Sequence, residues 1–247
     1  MKEDKQHNNQ KDFWEYAGSV GYDKAQFSSA LVASHILTKQ SQTAMRVAEV
    51  LGLTKSAKIL ELGCGDGTFA ENILSTHFKH VDAFEISKSA IAQAKVNSTS
   101  PNVHFYAKDI TKYEFEADSF WDGAFLIGIL HHIREYTPKV VSHLAKVCPK
   151  VIVLEPNGDN ILRKGLELLP SYKRAGEESF KLRNLINTFN VEGYTMKVNM
   201  RINFLPQFLP EKLFHLFNKL ENTIEQNIVL NRLCATYVLG FERIVTS

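Results

Sequence analysis

Ile59-Leu60-Glu61-Leu62-Gly63-Cys64-Gly65-Asp66-Gly67 decides the reading of this chain. Ile59 to Leu62 form the apolar end of a short buried strand. Gly63, Gly65 and Gly67 form the turn that follows, and Thr68 to Leu74 restart as a helix with Phe69, Ile73 and Leu74 on one side. A strand that breaks into glycines and resumes as a helix brings bare backbone close to a ligand, near the positive end of the helix. Spacing then separates the ligand classes. The dinucleotide fingerprint G-x-G-x-x-G needs its third glycine where Thr68 stands, and here a glycine comes one residue early, at Gly67. Glu61, just before the turn, would repel a pyrophosphate and attract a cationic group.

The next segments extend the pattern. His80 to Ile86 read as a second parallel strand with Glu85 at its end, about twenty residues past the glycine turn. At that distance a βαβ unit delivers a carboxylate to a ribose diol. Ser87 is a candidate N-cap for a helix over 87–97, which carries apolar Ala90, Ile91, Ala94 and Val96. A third strand over 103–107 runs into Lys108-Asp109-Ile110. A fourth over 122–129 runs into Leu130-His131-His132-Ile133, and a fifth over 151–154 ends at Glu155-Pro156-Asn157.

Taken together, the Glu-Leu-Gly-Cys-Gly-Asp-Gly turn, the Glu85 strand end, Asp109-Ile110 and the Leu-His-His run resemble, in order, the motifs of class I S-adenosylmethionine-dependent methyltransferases of the small-molecule type. The resemblance covers roughly residues 55–157. It implies an α/β fold: a seven-stranded, Rossmann-like, mostly parallel sheet with helices on both faces, an antiparallel closing strand and an N-terminal helical lid. It implies S-adenosyl-L-methionine as cofactor and S-adenosyl-L-homocysteine as product. Carried over by motif, the cofactor residues are Glu61, Gly63, Cys64, Gly65, Gly67, Glu85, Ile86, Asp109, Ile110, Ile127 and Gly128, with Asp109 facing the adenine amino group and Ile110 packing on the ring. His131 and His132 are the catalytic candidates, as a general base for an oxygen or nitrogen nucleophile. The same pair could instead cap its loop. Tyr16, Tyr22, Glu155 and Asn157 are candidate substrate contacts, and each has a packing alternative.

Composition narrows the function classes. A chain of 247 residues, 44% hydrophobic and 23% charged, suffices for one α/β core. The expected organisation is a disordered tail over 1–11 and a single domain over 12–247, with a helical lid at 12–50 and helical insertions at 158–190 and 207–230. A net charge of +2 gives no electrostatic footprint for nucleic acid. The Asn/Asp-Pro-Pro-Tyr motif of many nucleic-acid amino-methyltransferases is absent after the fourth strand. No run of about 18 apolar residues is present, and no signal-peptide core opens the chain, so a cytoplasmic location is expected. Cys64, Cys148 and Cys234 are widely spaced and read as reduced thiols, with no metal site.

Two strands are expected at the C-terminal end, over 194–204 and 233–241, with a helix between them. Leu209, Leu213, Leu216, Phe217, Leu220, Ile224 and Ile228 fall on one stripe of that helix, with Phe214 to the side. The stripe fits a helix docked on the domain or on a protein partner, or one lying on a membrane surface. Lys212 and Lys219 alternate with Glu211, Glu221 and Glu225, a mixture less typical of interfacial helices. The function expected is methyl transfer to O or N of a small-molecule or lipid-linked metabolite. Its rivals are a catalytically silent cofactor-binding subunit and a dinucleotide-dependent oxidoreductase.

Overall fold

A computed structural model describes residues 27–116, 118–168 and 178–244. The expected tail over 1–11 and both candidate tyrosines, Tyr16 and Tyr22, lie outside the described residues.

Seven strands form one sheet: β1 (Lys58–Leu62), β2 (His80–Glu85), β3 (Val103–Ala107), β4 (Gly123–Ile127), β5 (Lys150–Pro156), β6 (Tyr194–Ile202) and β7 (Thr236–Arg243). Their order is β3-β2-β1-β4-β5-β7-β6. The first five are parallel, while β7 runs antiparallel to both neighbours. The expected mostly parallel sheet with an antiparallel closing strand is therefore observed. Strand order reverses between β1 and β4, so the chain leaves the carboxyl ends of these two strands in opposite directions. That geometry opens a crevice where ligands bind in open α/β sheets.

Alternation along the strands feeds two cores. Leu60 and Leu62 point to one face with Leu126, Val153 and Leu239, against Val140, Val141 and Leu144. Ile59 points to the other with Phe125, Ile152 and Val238, against Val47, Ala48 and Leu51. All of these except Leu51 are at most 2% exposed. Full burial of such a side chain is worth roughly 1.5–3 kcal/mol.

The helices that supply these cores begin where side chains cap them. α1 (Ala30–Val50) starts at Ser29, whose hydroxyl accepts from the Val32 N–H. It is one continuous helix of 21 residues. α2 starts with π-wound turns (Ala70–Leu74) and closes as an α-turn (Ser75–His77). α3 (Lys88–Asn97) is capped by Ser87 as expected. α4 (Thr137–Val147) has a proline in its first turn, where the missing N–H costs nothing.

α5 (Ile161–Leu166) is capped by Asn160, and α6 (Leu182–Val191) returns the chain to the sheet. α7 (Phe214–Gln226) lies between β6 and β7.

Two expectations need correction. β7 begins at Thr236, because residues 230–233 form a tight 3-10 turn. The expected single apolar stripe is also split: Leu209 is buried and Phe217 packs against Val32 and Ile36 of α1, while other members face outward. Phe214 is buried, while Leu213, Leu216 and Leu220 are 38–58% exposed. The buried side of the helix also carries Glu221, at 1% exposure. This orientation is set by ion pairing with α1: Glu221 Oε2 lies 2.5 Å from Lys39 Nζ and 2.7 Å from His35 Nε2. Glu225 Oε1 accepts from Lys39 at 2.9 Å. Each acid also takes a backbone N–H from the preceding loop, Glu221 that of Leu205 and Glu225 that of Asn203.

Candidate active site at the carboxyl ends of the strands

The glycine turn is pinned to the neighbouring strand. The N–H groups of Gly63 and Cys64 both donate to the Phe84 carbonyl, at 2.8 and 3.1 Å. A Cβ at Gly63 would sit 2.7 Å from the Ile129 side chain, so the turn closes against the end of β4 only without one. Gly67 serves a different end. With φ of +82° and a built Cβ 2.6 Å from the Phe105 ring, it packs the start of α2 onto β3.

Glu85 buttresses the turn: Oε2 accepts from the Gly65 N–H at 3.1 Å and Oε1 from the Ser87 N–H at 2.9 Å. Its carboxylate is thereby aimed across the glycine turn at the cleft it borders.

A cleft of about 1480 Å³ opens here. Its wall includes Glu61, Gly63, Cys64, Gly65, Glu85, Ile86, Asp109, Ile110, Ile127, Gly128, His131 and His132. Twelve of the thirteen residues named from sequence as cofactor or catalytic positions thus come together. The exception is Gly67, which is spent on packing.

Electrostatics mark the centre of the cleft. Glu61 is 1% exposed, and its Oε2 has no hydrogen-bond partner. Burial, followed by the charges of Glu85 and Asp66, pushes its carboxyl up to about 8. A buried carboxyl with an orphaned oxygen is costly unless a donor arrives, and a cationic amino group is the matching donor. Cys64 beside it is pushed well above the ordinary thiol range by burial and the same acids, which leaves it unreactive. Asp109 Oδ1 accepts from the Thr111 N–H at 3.1 Å and its hydroxyl at 2.6 Å. Its Oδ2 lies 3.6 Å from Lys112.

The histidine pair is built from below. Glu155, fully buried, accepts the Leu130 N–H on Oε1 at 2.7 Å and the His131 Nδ1–H on Oε2 at 2.8 Å. His131 is thus fixed, and its ring centroid lies 3.8 Å from that of His132. Burial, then His131, then Arg163 push the His132 pKa well below the ordinary histidine range, so that ring is neutral. Glu155 and Asn157, expected as substrate contacts, are not in the cleft wall. Glu155 orients His131 instead. Asn157 donates to the Cys234 carbonyl at 2.7 Å and accepts from the Asp159 N–H at 2.9 Å, tying β5 to the start of β7. Both sit one layer beneath the surface because a strand end alternates its side chains.

Part of the wall was not anticipated: Ile36, Leu37 and Met45 of α1, and Phe204, Leu205 and Phe208 of the loop after β6. Only the general expectation of an N-terminal lid pointed there, since these residues carry no motif.

These residues match known proteins as follows. Residues 59–150 match a family model described as a methyltransferase domain. A 62-residue stretch is 40% identical to malonyl-[acyl-carrier protein] O-methyltransferase of Bacillus anthracis, covering 25% of this chain and 23% of that protein. A longer match, 28% identical over 141 residues, is to the protein of the same name from Bacillus cereus, covering 56% of this chain and 49% of that one. O-methyltransferase rstn1 of Aspergillus nomiae is 29% identical over 122 residues, 47% of this chain and 51% of its own length. The chain thus spans about half or less of the curated relatives it matches.

Among solved structures, a putative sarcosine dimethylglycine methyltransferase from Galdieria sulphuraria superposes with a TM-score of 0.64 at 11% identity, covering 90% of this chain and 92% of that one. The magnesium protoporphyrin IX methyltransferase of Synechocystis PCC 6803, with bound S-adenosylhomocysteine, gives 0.60 at 16% identity over 96% and 100%. The [4+2]-cyclase SpnF gives 0.61 at 15% identity over 83% and 81%. Likeness at this level shows the fold, and a cyclase among the neighbours shows that the fold hosts more than one reaction.

Proposed function

We propose that this protein, whose residues 59–150 match a family model described as a methyltransferase domain, binds S-adenosylmethionine in the class I manner and moves a methyl group to an oxygen nucleophile of a small molecule. The observation that carries the reading is Glu61: a buried carboxyl with an orphaned oxygen at a glycine turn calls for a cation, and the amino-acid end of the cofactor supplies one. Glu85 fits a ribose diol, and Ile86 and Ile110 offer apolar surface for the adenine. Asp109, partly engaged by Thr111, would meet the adenine amino group through its second oxygen. When bound, S-adenosylmethionine supplies a methyl group already activated on a sulfonium, so the protein need not create the electrophile.

What remains is alignment. An acceptor held at near-attack distance gains most of its rate from lost translational freedom. His131, locked by Glu155, holds His132 at the cleft wall, and His132 orients the acceptor oxygen by hydrogen bonding. A histidine kept neutral by burial is a weak base, which gives proton removal the smaller share. Oxygen is favoured over nitrogen as the atom methylated because the curated relatives, by name, are O-methyltransferases.

Transfer of tritiated methyl from S-adenosylmethionine to hydroxyl- and carboxyl-bearing acceptors tests this, with products identified by mass. Ester or ether products support it, and transfer to amines alone contradicts it. In the same assay at saturating S-adenosylmethionine, His132→Ala should lower kcat about 10-fold or more, while the wild-type profile of kcat stays flat from pH 6 to 9. A profile rising through a single ionisation would instead make His132 the base.

A further inference from the structure

In sequence the charges of α7 and the turn leading into it are mixed, with Lys212 and Lys219 among Glu211, Glu221 and Glu225. The fold separates them. Glu221 turns inward to Lys39 and His35, and Glu225 to Lys39, so two of the three acids leave the outer face. The charged side chains that stay exposed over residues 211–233 are Lys212, Lys219 and Arg232, against Glu211 alone.

The same face is aliphatic. Leu213, Leu216 and Leu220, spaced i, i+3 and i+7, make an exposed strip along the helix, and Lys212 and Lys219, spaced i and i+7, run beside it. Past the helix Ile228, Val229 and Leu230 are exposed too, and the turn over 230–233 packs back on α7. α5 starts beside that turn, with Asn160 Nδ2 donating to the Leu233 carbonyl at 2.8 Å, and it exposes Ile161 and Leu162. Apolar surface gathered in one region marks a contact with a protein or a membrane. Residue type separates the two. Protein interfaces are enriched in aromatic residues and depleted in lysine. Here Phe214 and Phe217 turn into the domain, and leucine and lysine are left outside. An aliphatic strip edged by lysines suits a lipid interface, where the leucines enter the acyl boundary and the lysines meet anionic headgroups.

We propose that this face docks on a bilayer containing anionic lipid, with α7 lying in the plane of the interface. Phe208 and Leu162, both exposed, also line the cleft, so docking brings the cleft rim close to the headgroups. An acceptor carried in the bilayer then enters the cleft from that side. Docking of this kind is independent of the reaction carried out in the cleft, and its test needs no substrate.

The full chain is sedimented with vesicles of phosphatidylcholine alone, and with vesicles of phosphatidylcholine and phosphatidylglycerol in equal parts. It should bind the anionic vesicles at least about 10-fold more tightly than the neutral ones, and high salt should weaken that binding. Lys212→Gln combined with Lys219→Gln should weaken binding to the anionic vesicles about 10-fold or more. Leu216→Ser combined with Leu220→Ser should weaken it about 10-fold as well. All four side chains are exposed, so thermal melting should stay unchanged; should the serine pair not fold, Leu216→Gln alone carries the comparison. Failure to bind the anionic vesicles overturns the proposal, and so does binding that both double variants retain in full. A wild-type dimer in equilibrium sedimentation that becomes monomeric in the serine variant assigns the face to a second copy, and overturns it too.

Discussion

Glu61 keeps its proton in the folded protein to about pH 8, whereas in the unfolded chain it loses it near the ordinary 4.5. Below pH 4.5 the two states bind the same proton and folding is not penalised. As pH rises from 4.5 through 8, the unfolded state gives up a proton the folded state retains, and stability falls. At pH 7 the penalty is on the order of 3 kcal/mol, from about 1.4 kcal/mol for each pH unit between the unfolded pKa and the working pH. In the cofactor-free protein, Glu61→Gln should therefore flatten the decline in Tm between pH 5 and 8, and an unchanged decline would place its origin elsewhere. Gly67 gives a second test at this scale. Gly67→Ala puts a methyl group against the Phe105 ring at a φ of +82°, and should cost about 1–3 kcal/mol in urea denaturation. Both positions were legible in sequence, because a glycine turn and its acid are local signals. The division of labour among the glycines was not, since Gly67 answers to Phe105, a residue 38 positions away.

Among the elements, the pairing of α7 with α1 departs furthest from what periodicity suggests. The leucines of α7 form a clean stripe, yet the buried side is chosen by Glu221 and Glu225 meeting Lys39 and His35, about 186 residues distant in sequence. No window of helical length contains that information. The cluster also takes the backbone N–H groups of Asn203 and Leu205, so it fixes the loop that walls the cleft. Glu221→Ala leaves Lys39 facing a half-dismantled site and should cost roughly 3–5 kcal/mol by urea denaturation, whereas the double replacement Lys39→Met with Glu221→Met should cost far less. Equal losses in the two would mean the charges do not act as a unit. The hydrogen bonds to Glu221 and its attraction to Lys39 outweigh burial and hold its carboxyl below the ordinary range. Its contribution is present above the unfolded value of 4.5 and fades as pH falls below it.

For the molecule as a whole, the mostly parallel sheet, the cleft position and the acidic residues around it were readable from four motifs and the family they resemble. Each lies at a strand end, and a doubly wound sheet brings strand ends together. The rest of the cleft wall was not readable, because it is assembled from α1 and the loop before α7, which share no motif and meet only through tertiary packing. Among the described residues no helix is long and apolar enough to cross a membrane.

Calorimetric titration of the protein with S-adenosylhomocysteine, repeated on Glu85→Ala, tests the central claim most directly. Glu85 holds the glycine turn through Gly65 and, on the proposed reading, would accept the ribose hydroxyls, which predicts saturable one-to-one binding by the wild type and affinity lowered about 10- to 100-fold in a folded variant. Absence of saturable binding by the wild type, or equal affinity in the two proteins, would contradict it.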